Sequence, residues 1–425
     1  MWEKLQAIWR VKEVRNGLLF VFAMMVLFRF CAHIPLPGID LVQLQRYFAA
    51  NQVLGLLNLF SGGTIKNFAV VALGVAPYIT ASIILQLLTM IVPRLEEIQK
   101  EGEQGQQRIN QWTRLLTVPL AIIQSFGLIQ LLKQSQFPIL TQTDILHLIT
   151  LICTVTAGTV FLMWVGELIS EKKVGNGVSL IIMAGILASL PGSVGQLLAT
   201  YDSSQFLTYA AYAVVAVITI VGVVFITEGQ RNIPVQYARQ VRGQGTATGG
   251  VMTSLPLRVN MAGVIPIIFA ISILLFPTVV AQFFINAKTA WVAAAATWIV
   301  NIVQNQTVYG VVYFLLVVIF TFFYATVVFH PEQVAENLQK QGGFIPGIRP
   351  GKPTADYLQS IVNRLNLIGA LFLATIAVLP LAIQGVGGSK TLAIGGTSLL
   401  IVVSVIIEAV KQVESQLTMR EYDAY

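Results

Sequence analysis

The chain has 425 residues, 56% of them hydrophobic and 11% charged, with a mean hydropathy of +0.75. So apolar a polypeptide cannot cover its own apolar surface in water, which excludes both a soluble globular protein and a disordered one. The net charge of +7 does not mark a nucleic-acid binder, because the basic residues lie in connections between apolar runs.

Ten runs approach the length that spans about 30 Å of hydrocarbon. In chain order they cover 17–34, 72–92, 115–132, 147–167, 178–199, 208–227, 260–285, 308–329, 365–383 and 392–410. The first, which ends Phe28-Arg29-Phe30-Cys31-Ala32-His33, offers no small-residue cleavage site and is expected to remain as a span. Of the 26 Lys and Arg, only Arg46, Lys66, Lys133, Lys288 and Lys390 fall in the opposite set of connections, and Arg29 falls inside a span. All the others share the side of the N-terminus, so both termini are expected to be cytoplasmic. The resulting division is a cytoplasmic amphipathic segment 1–16, a first half 17–200, a second half 201–410 and a cytoplasmic tail 411–425.

Between the first two spans, Leu56-Leu57-Asn58-Leu59-Phe60-Ser61-Gly62-Gly63-Thr64-Ile65-Lys66-Asn67 is apolar but too short and too Gly-interrupted to cross. Such a segment either folds back into the protein or rests on the outer surface. The second span opens Gly74-Val75-Ala76-Pro77-Tyr78-Ile79-Thr80-Ala81-Ser82-Ile83-Ile84-Leu85, and the seventh contains Gly263-Val264-Ile265-Pro266-Ile267-Ile268-Phe269-Ala270-Ile271-Ser272-Ile273-Leu274, identical at seven of twelve places. Because these two spans run in opposite senses, the repeat points to two five-helix halves of inverted topology, with a functional path between them.

Three cytoplasmic connections, 93–114, 228–259 and 330–364, are long for a helix bundle and read as functional. Thr246 to Gly250 is small and flexible. Phe344-Ile345-Pro346-Gly347-Ile348-Arg349-Pro350-Gly351 alternates turn formers with apolar residues and is expected to be ordered.

Catalytic chemistry is missing. Cys31 and Cys153 lie in apolar stretches without ligand spacing and read as buried small hydrophobes. His33, His147 and His330 form no metal or nucleophile motif. Gly387-Gly388-Ser389-Lys390-Thr391 departs from a phosphate-binding loop and reads as a turn. Ion-coupled transport needs carboxylates at membrane depth, whereas Glu167, Glu228 and Glu408 lie at span ends and Arg29 suits snorkelling or an internal partner. No cofactor is indicated, and the reading is not an enzyme. What remains is a passive pore for a chain-like substrate; a secondary transporter of small solutes is the alternative.

Phe60-Ser61-Gly62-Gly63, Pro77 to Leu88, Gly175-Asn176-Gly177, Val259-Asn260-Met261-Ala262-Gly263-Val264-Ile265-Pro266, Phe344 to Gly351 and Gly395-Gly396-Thr397-Ser398-Leu399-Leu400-Ile401 follow one another along the chain. In that order they resemble the characteristic segments of the SecY/Sec61-alpha family of protein-translocating channels. The resemblance implies an all-α integral membrane protein of ten transmembrane helices in two inverted halves of five around a central pore. It implies a pore ring of Val75, Ile79, Val178, Ile182, Ile268 and Ile401, of which Val75/Ile79 and Val178/Ile182 are also i, i+4 pairs on one helix face. It further implies a plug over about 55–67, carrying Phe60, Ser61, Gly62, Gly63, Thr64 and Ile65. A lateral gate would contain Thr80, Gln124 and Asn260, with uncharged hydrogen bonds between helices. Arg231, Arg239, Arg242, Arg258 and Arg349 would dock a SecA ATPase or the ribosome, ribosomal RNA included. SecE and SecG are the implied membrane partners, with preprotein signal sequences and lipid at the gate and no small-molecule substrate. The implied location is a bacterial plasma (inner) membrane.

Overall fold

The computed structural model describes residues 9, 11–50, 61, 63–133, 138–140, 144–199, 206–237, 251–285, 289–385 and 395–423. In order, the helices are α1 (Lys12–Cys31), α2 (Leu41–Ala50), α3 (Ala76–Ile91), α4 (Pro93–Lys100), α5 (Glu103–Lys133), α6 (Ile145–Glu171) and α7 (Gly177–Ala199). They continue as α8 (Phe206–Glu228), α9 (Ile265–Phe284), α10 (Ala290–Gln304), α11 (Gln306–Val328), α12 (Pro331–Lys340), α13 (Lys352–Gly385) and α14 (Gly395–Asp423). Each of the ten apolar runs coincides with a helix.

The burial pattern is that of a lipid-solvated bundle. On α5, Leu115, Val118, Ile122, Ile123 and Phe126 face outward, while Thr113, Thr117 and Ser125 are buried. The two threonines are placed inward at little cost because their hydroxyls return to the backbone: Thr113 donates to the Ile109 carbonyl at 3.0 Å and Thr117 to that of Thr113 at 2.7 Å. Water would select the reverse arrangement, whereas lipid tails are as apolar as the core. Among the described residues five stretches are long and apolar enough to cross a membrane: α1, α5, α6, the run Gln306–Lys340 and Lys352–Leu379. The pair α3 and α4, bent by 102° at Val92, makes up to six, and Gly177–Gly192, Ala213–Glu228, Ile265–Leu274 and Ala290–Val303 are shorter apolar helices. The chain is therefore a multi-pass, predominantly α-helical membrane protein. Cys153 is exposed and Cys31 half-buried, so neither is the fully buried hydrophobe expected; Cys153 lies on a helix whose outer face is lipid-like.

The described parts of the three long connections are structured. The first consists of α4 and the early turns of α5, and the third of α12 and the early turns of α13. Hydropathy marks only the lipid-immersed part of a helix, so these polar extensions escaped a scan for spans. The second connection is a β-hairpin of β1 (Gln230–Tyr237) and β2 (Val251–Arg258), in register from Gln230↔Arg258 to Tyr237↔Val251. A short β3 (Gly343–Phe344) adds to β1 at Gln236 and Tyr237, giving sheet order β2-β1-β3. Pro234 is tolerated in β1 because β3 stops short of it, leaving no ladder bond for its missing N–H to make on that side. Ile233, Val235 and Leu257 pack with Leu338 of α12, Ile345, and Leu358, Ile361 and Val362 of α13 in a separate core. The Phe344–Gly351 segment is ordered, with Ile345 buried in that core. The segment Thr246–Gly250, most of the N-terminal 1–16 stretch and Gly387–Thr391 lie outside the described residues.

Candidate functional site

The repeated segments set up the centre of the bundle with one backbone device used twice. Gly74 has φ +58° and Gly263 φ +62°; Val75 (φ −96°, ψ 5°) and Val264 (φ −95°, ψ −8°) then cap α3 and α9, and Pro77 and Pro266 occupy their first turns. Glycine provides the left-handed turn without strain, and proline in a first turn loses no helical hydrogen bond.

Val75, Ile79, Ile182, Ile268 and Ile401, from α3, α7, α9 and α14, belong to one core cluster, and Val178 packs at its edge. The five are between 1 and 6% exposed, so their branched aliphatic side chains lie in one cluster with water excluded. Val178 is in contact with the same cluster. It is half-buried in the first turn of α7, and a Cβ placed on Gly166 of α6 would come within 3.3 Å of its Cγ2. One turn beyond Ile182, Ile186 is buried in the same cluster; its i, i+4 spacing from Ile182 is the sequence signal for it.

Of the residues expected in a plug, Phe60 and Gly62 lie outside the described residues, while Ser61, Thr64 and Ile65 are buried. The Thr64 hydroxyl is 2.8 Å from the Ser61 carbonyl and 2.9 Å from the Ala72 carbonyl, and can donate to either. The Ile65 N–H donates to Ser61 Oγ at 3.3 Å. Gly74 admits this segment: a Cβ there would sit 2.9 Å from Ser61 Cα. Gly63 takes φ +81°. A 3-10 turn, Ile65–Asn67, ends at Phe68, which is fully buried with φ 39°. The following chain is stitched to the end of α1, with Leu36 N–H donating to the Phe68 carbonyl and Val70 N–H to the Ile34 carbonyl, both at 3.0 Å. Gly158 of α6 lets this segment approach, since a Cβ there would collide with the Val70 carbonyl oxygen.

At the expected gate, α9 packs against both α3 and α5. The polar residues differ from expectation in their bonding. Thr80 donates to the Ala76 carbonyl at 3.0 Å and Asn260 to the Gly263 carbonyl at 3.2 Å, and among the described residues no hydrogen bond joins Thr80, Gln124 and Asn260. A helical hydroxyl finds the i−4 carbonyl without any movement of a neighbouring helix, which is why the local bond wins. Asn260 is buried, and its Oδ1 has no hydrogen-bond partner among the described residues. Gln124 is half-buried on α5.

Arg231, Arg258 and Arg349 are exposed on the β-sheet and the turn beyond it; Arg239 and Arg242 lie outside the described residues. Ion pairs tie neighbouring helix ends together, Arg114 to Glu167 at 2.6 Å between α5 and α6 and Lys411 to Glu228 at 2.9 Å between α14 and α8. No group of His, Cys, Asp and Glu able to hold a metal ion occurs among the described residues. Among the described residues the buried polar side chains are Ser, Thr and Asn together with the phenols of Tyr309 and Tyr313, and no carboxylate, Lys, Arg or His is fully buried.

A sequence model of SecY matches residues 69–410. The protein translocase subunit SecY of Streptomyces galbus is 43% identical, over 98% of this chain and 98% of its own length. This chain belongs to the SecY family. The corresponding subunit of Corynebacterium glutamicum is 44% identical over 97% of both chains. The fold is also that of a solved protein-conducting channel, with TM-score 0.63, 18% identity and coverage of 93% of this chain and 91% of the other. A Sec61 chain from a canine ribosome-channel complex aligns with TM-score 0.59 at 16% identity, over 93% and 91%.

Proposed function

We propose that this chain is the protein-conducting subunit of a bacterial translocase, a non-catalytic channel that passes unfolded preproteins outward and releases apolar segments sideways into lipid. The observation that carries the reading is the convergence of Val75, Ile79, Ile182, Ile268 and Ile401 from four helices in one water-free cluster. Aliphatic side chains exclude ions by dewetting and form no specific bond to a passing chain. Ile186 joins this ring from α7, with Val178 flanking it on the cytoplasmic side. A coupled transporter would need carboxylates or basic groups at that depth, and among the described residues no Asp, Glu, Lys, Arg or His is fully buried.

Ser61, Thr64 and Ile65 belong to the plug, with Ser61 seated against Gly74, and α3 and α9 are the separable helices of the gate. Ten spans in two inverted halves are supported by the matched turns at Gly74 and Gly263 and by a helix at each apolar run. Positive charge concentrated on one set of connections supports cytoplasmic termini, in a bacterial inner membrane. SecE and SecG are the expected membrane partners, and SecA or the ribosome the source of drive. The exposed Arg231, Arg258 and Arg349 suit acidic protein surfaces or RNA phosphates.

Reconstitution in vesicles with SecE, SecG, SecA, ATP and a signal-bearing precursor tests the function; protection of the precursor from protease is expected. A precursor left fully accessible, while an authentic channel protects it in parallel, overturns the reading. Crosslinking cysteines placed at Thr80 and Asn260 tests the gate separately: complete crosslinking is expected to block translocation, and unchanged export would refute a gate there.

A further inference from the structure

Helix α10 lies between the outer ends of α9 and α11 and was not expected as an element. Its sequence, Ala290-Trp291-Val292-Ala293-Ala294-Ala295-Ala296-Thr297-Trp298-Ile299-Val300-Asn301-Ile302-Val303-Gln304, carries no charged residue. One side is anchored, because Ala296 and Val300 pack against Ala281 of α9, with Ile285 and Ile299 closing the cluster. That contact fixes what the other side presents: Trp291 and Trp298, two turns apart, are 74% and 67% exposed, with Ala294 and Ala295 exposed between them. The hydroxyl of Thr297 is turned back onto the Ala293 carbonyl at 2.8 Å, which lowers the polarity of that face.

We infer that the Trp291/Trp298 face of α10 is a membrane-interface anchor whose occupant is the outer lipid headgroup and upper acyl layer. Three observations select lipid. Only Asn305 separates α10 from α11, whose side chain caps α11 by accepting from the N–H groups of Thr307 and Val308, so α10 sits at the outer end of a helix running through the bilayer. The outward face of α11 begins at once with Val308, Val311, Val312, Leu315 and Ile319, so the helix that follows the Trp face turns an apolar surface outward from its first turn. Tryptophan matches that depth, with an apolar ring body and one N–H for the headgroup layer. A short helix lying in the interface buries its apolar side by about 5–10 Å. Since α10 is packed onto α9, this anchor ties the outer end of α9 to the membrane surface and favours movement of α9 in the membrane plane over movement along its normal. The inference requires only that the chain spans a bilayer and is independent of the ring and plug assignments.

The test uses the full chain with its partner subunits in phosphatidylethanolamine and phosphatidylglycerol vesicles whose acyl chains are brominated near either the headgroup or the methyl end. Emission is compared between the parent and the W291F, W298F and W291F/W298F variants, so the difference isolates the two side chains among the six tryptophans. Shallow bromine is expected to reduce that difference signal roughly twofold or more, deep bromine less, and aqueous iodide hardly at all. Strong iodide quenching would place the tryptophans in water, and insensitivity to both quenchers would place them under a protein subunit; either overturns the inference. W164F reports an exposed tryptophan on the spanning helix α6, and loss of bromine quenching there as well would overturn the spanning assignment along with the anchor.

Discussion

Replacing Thr64 by Val changes little but one hydroxyl. The side chain is fully buried, and its proton serves either the Ser61 carbonyl at 2.8 Å or the Ala72 carbonyl at 2.9 Å. Valine keeps the shape and the branched Cβ while leaving two carbonyls without that donor. One hydroxyl proton makes one full bond at a time, so the loss is that of a single buried hydrogen bond with an acceptor stranded, about 1–3 kcal/mol. If the plug opens by leaving this seat, its open population rises by about 5- to 150-fold, since 1.4 kcal/mol is a factor of ten. The assay is efflux of potassium or a small dye from vesicles carrying the reconstituted complex without precursor. T64V is expected to leak in proportion to that factor, and T64S, which keeps the hydroxyl, to remain near the parent. Unchanged leak from T64V in a complex that still elutes as a single folded species would refute the claim that this hydroxyl holds the plug.

Gly177 and Gly195 lie in the same helix but should respond oppositely to alanine. A Cβ at Gly177 would strike the Gly166 carbonyl oxygen of α6, whereas nothing lies within 4 Å of one at Gly195. G177A is expected to lower thermal stability by about 1–3 kcal/mol, and G195A to leave it equal or raise it by up to about 1 kcal/mol, read from melting curves in detergent. Phe68 sets backbone strain against burial: its left-handed φ costs about 1–2 kcal/mol, but truncating a buried Phe costs about 3–5 kcal/mol. F68G should therefore be net destabilising, and a higher melting temperature would reverse that ranking. The Arg114–Glu167 pair, nearly half exposed on the arginine side, should show a coupling below about 1 kcal/mol in a double-mutant cycle, weakening with salt.

Sequence by itself determined the membrane class, the positions of the apolar helices and the repeated Gly-x-x-Pro starts of α3 and α9. Each of these depends on local properties, the hydropathy of about twenty residues or the φ that a glycine permits. The ring residues were legible only through resemblance, because an isoleucine facing a pore has the same composition signature as one facing a core. Tertiary structure decided which side chains meet. It left Val178 half-buried and buried Ile182 and Ile186 fully on the same helix, because the packing of α7 against α6 fixes the rotation of that helix. It turned Thr80 and Asn260 onto their own backbones instead of onto each other. It made a β-hairpin with its own core out of a connection that polarity alone reads as loop, since the partners of Ile233 and Leu257 lie on α12 and α13, about a hundred residues away in the chain. Lipid selects for apolar faces without regard to partner, so the sequence reveals that a helix is immersed; which of its faces meets another helix is set only by the shapes of the neighbours.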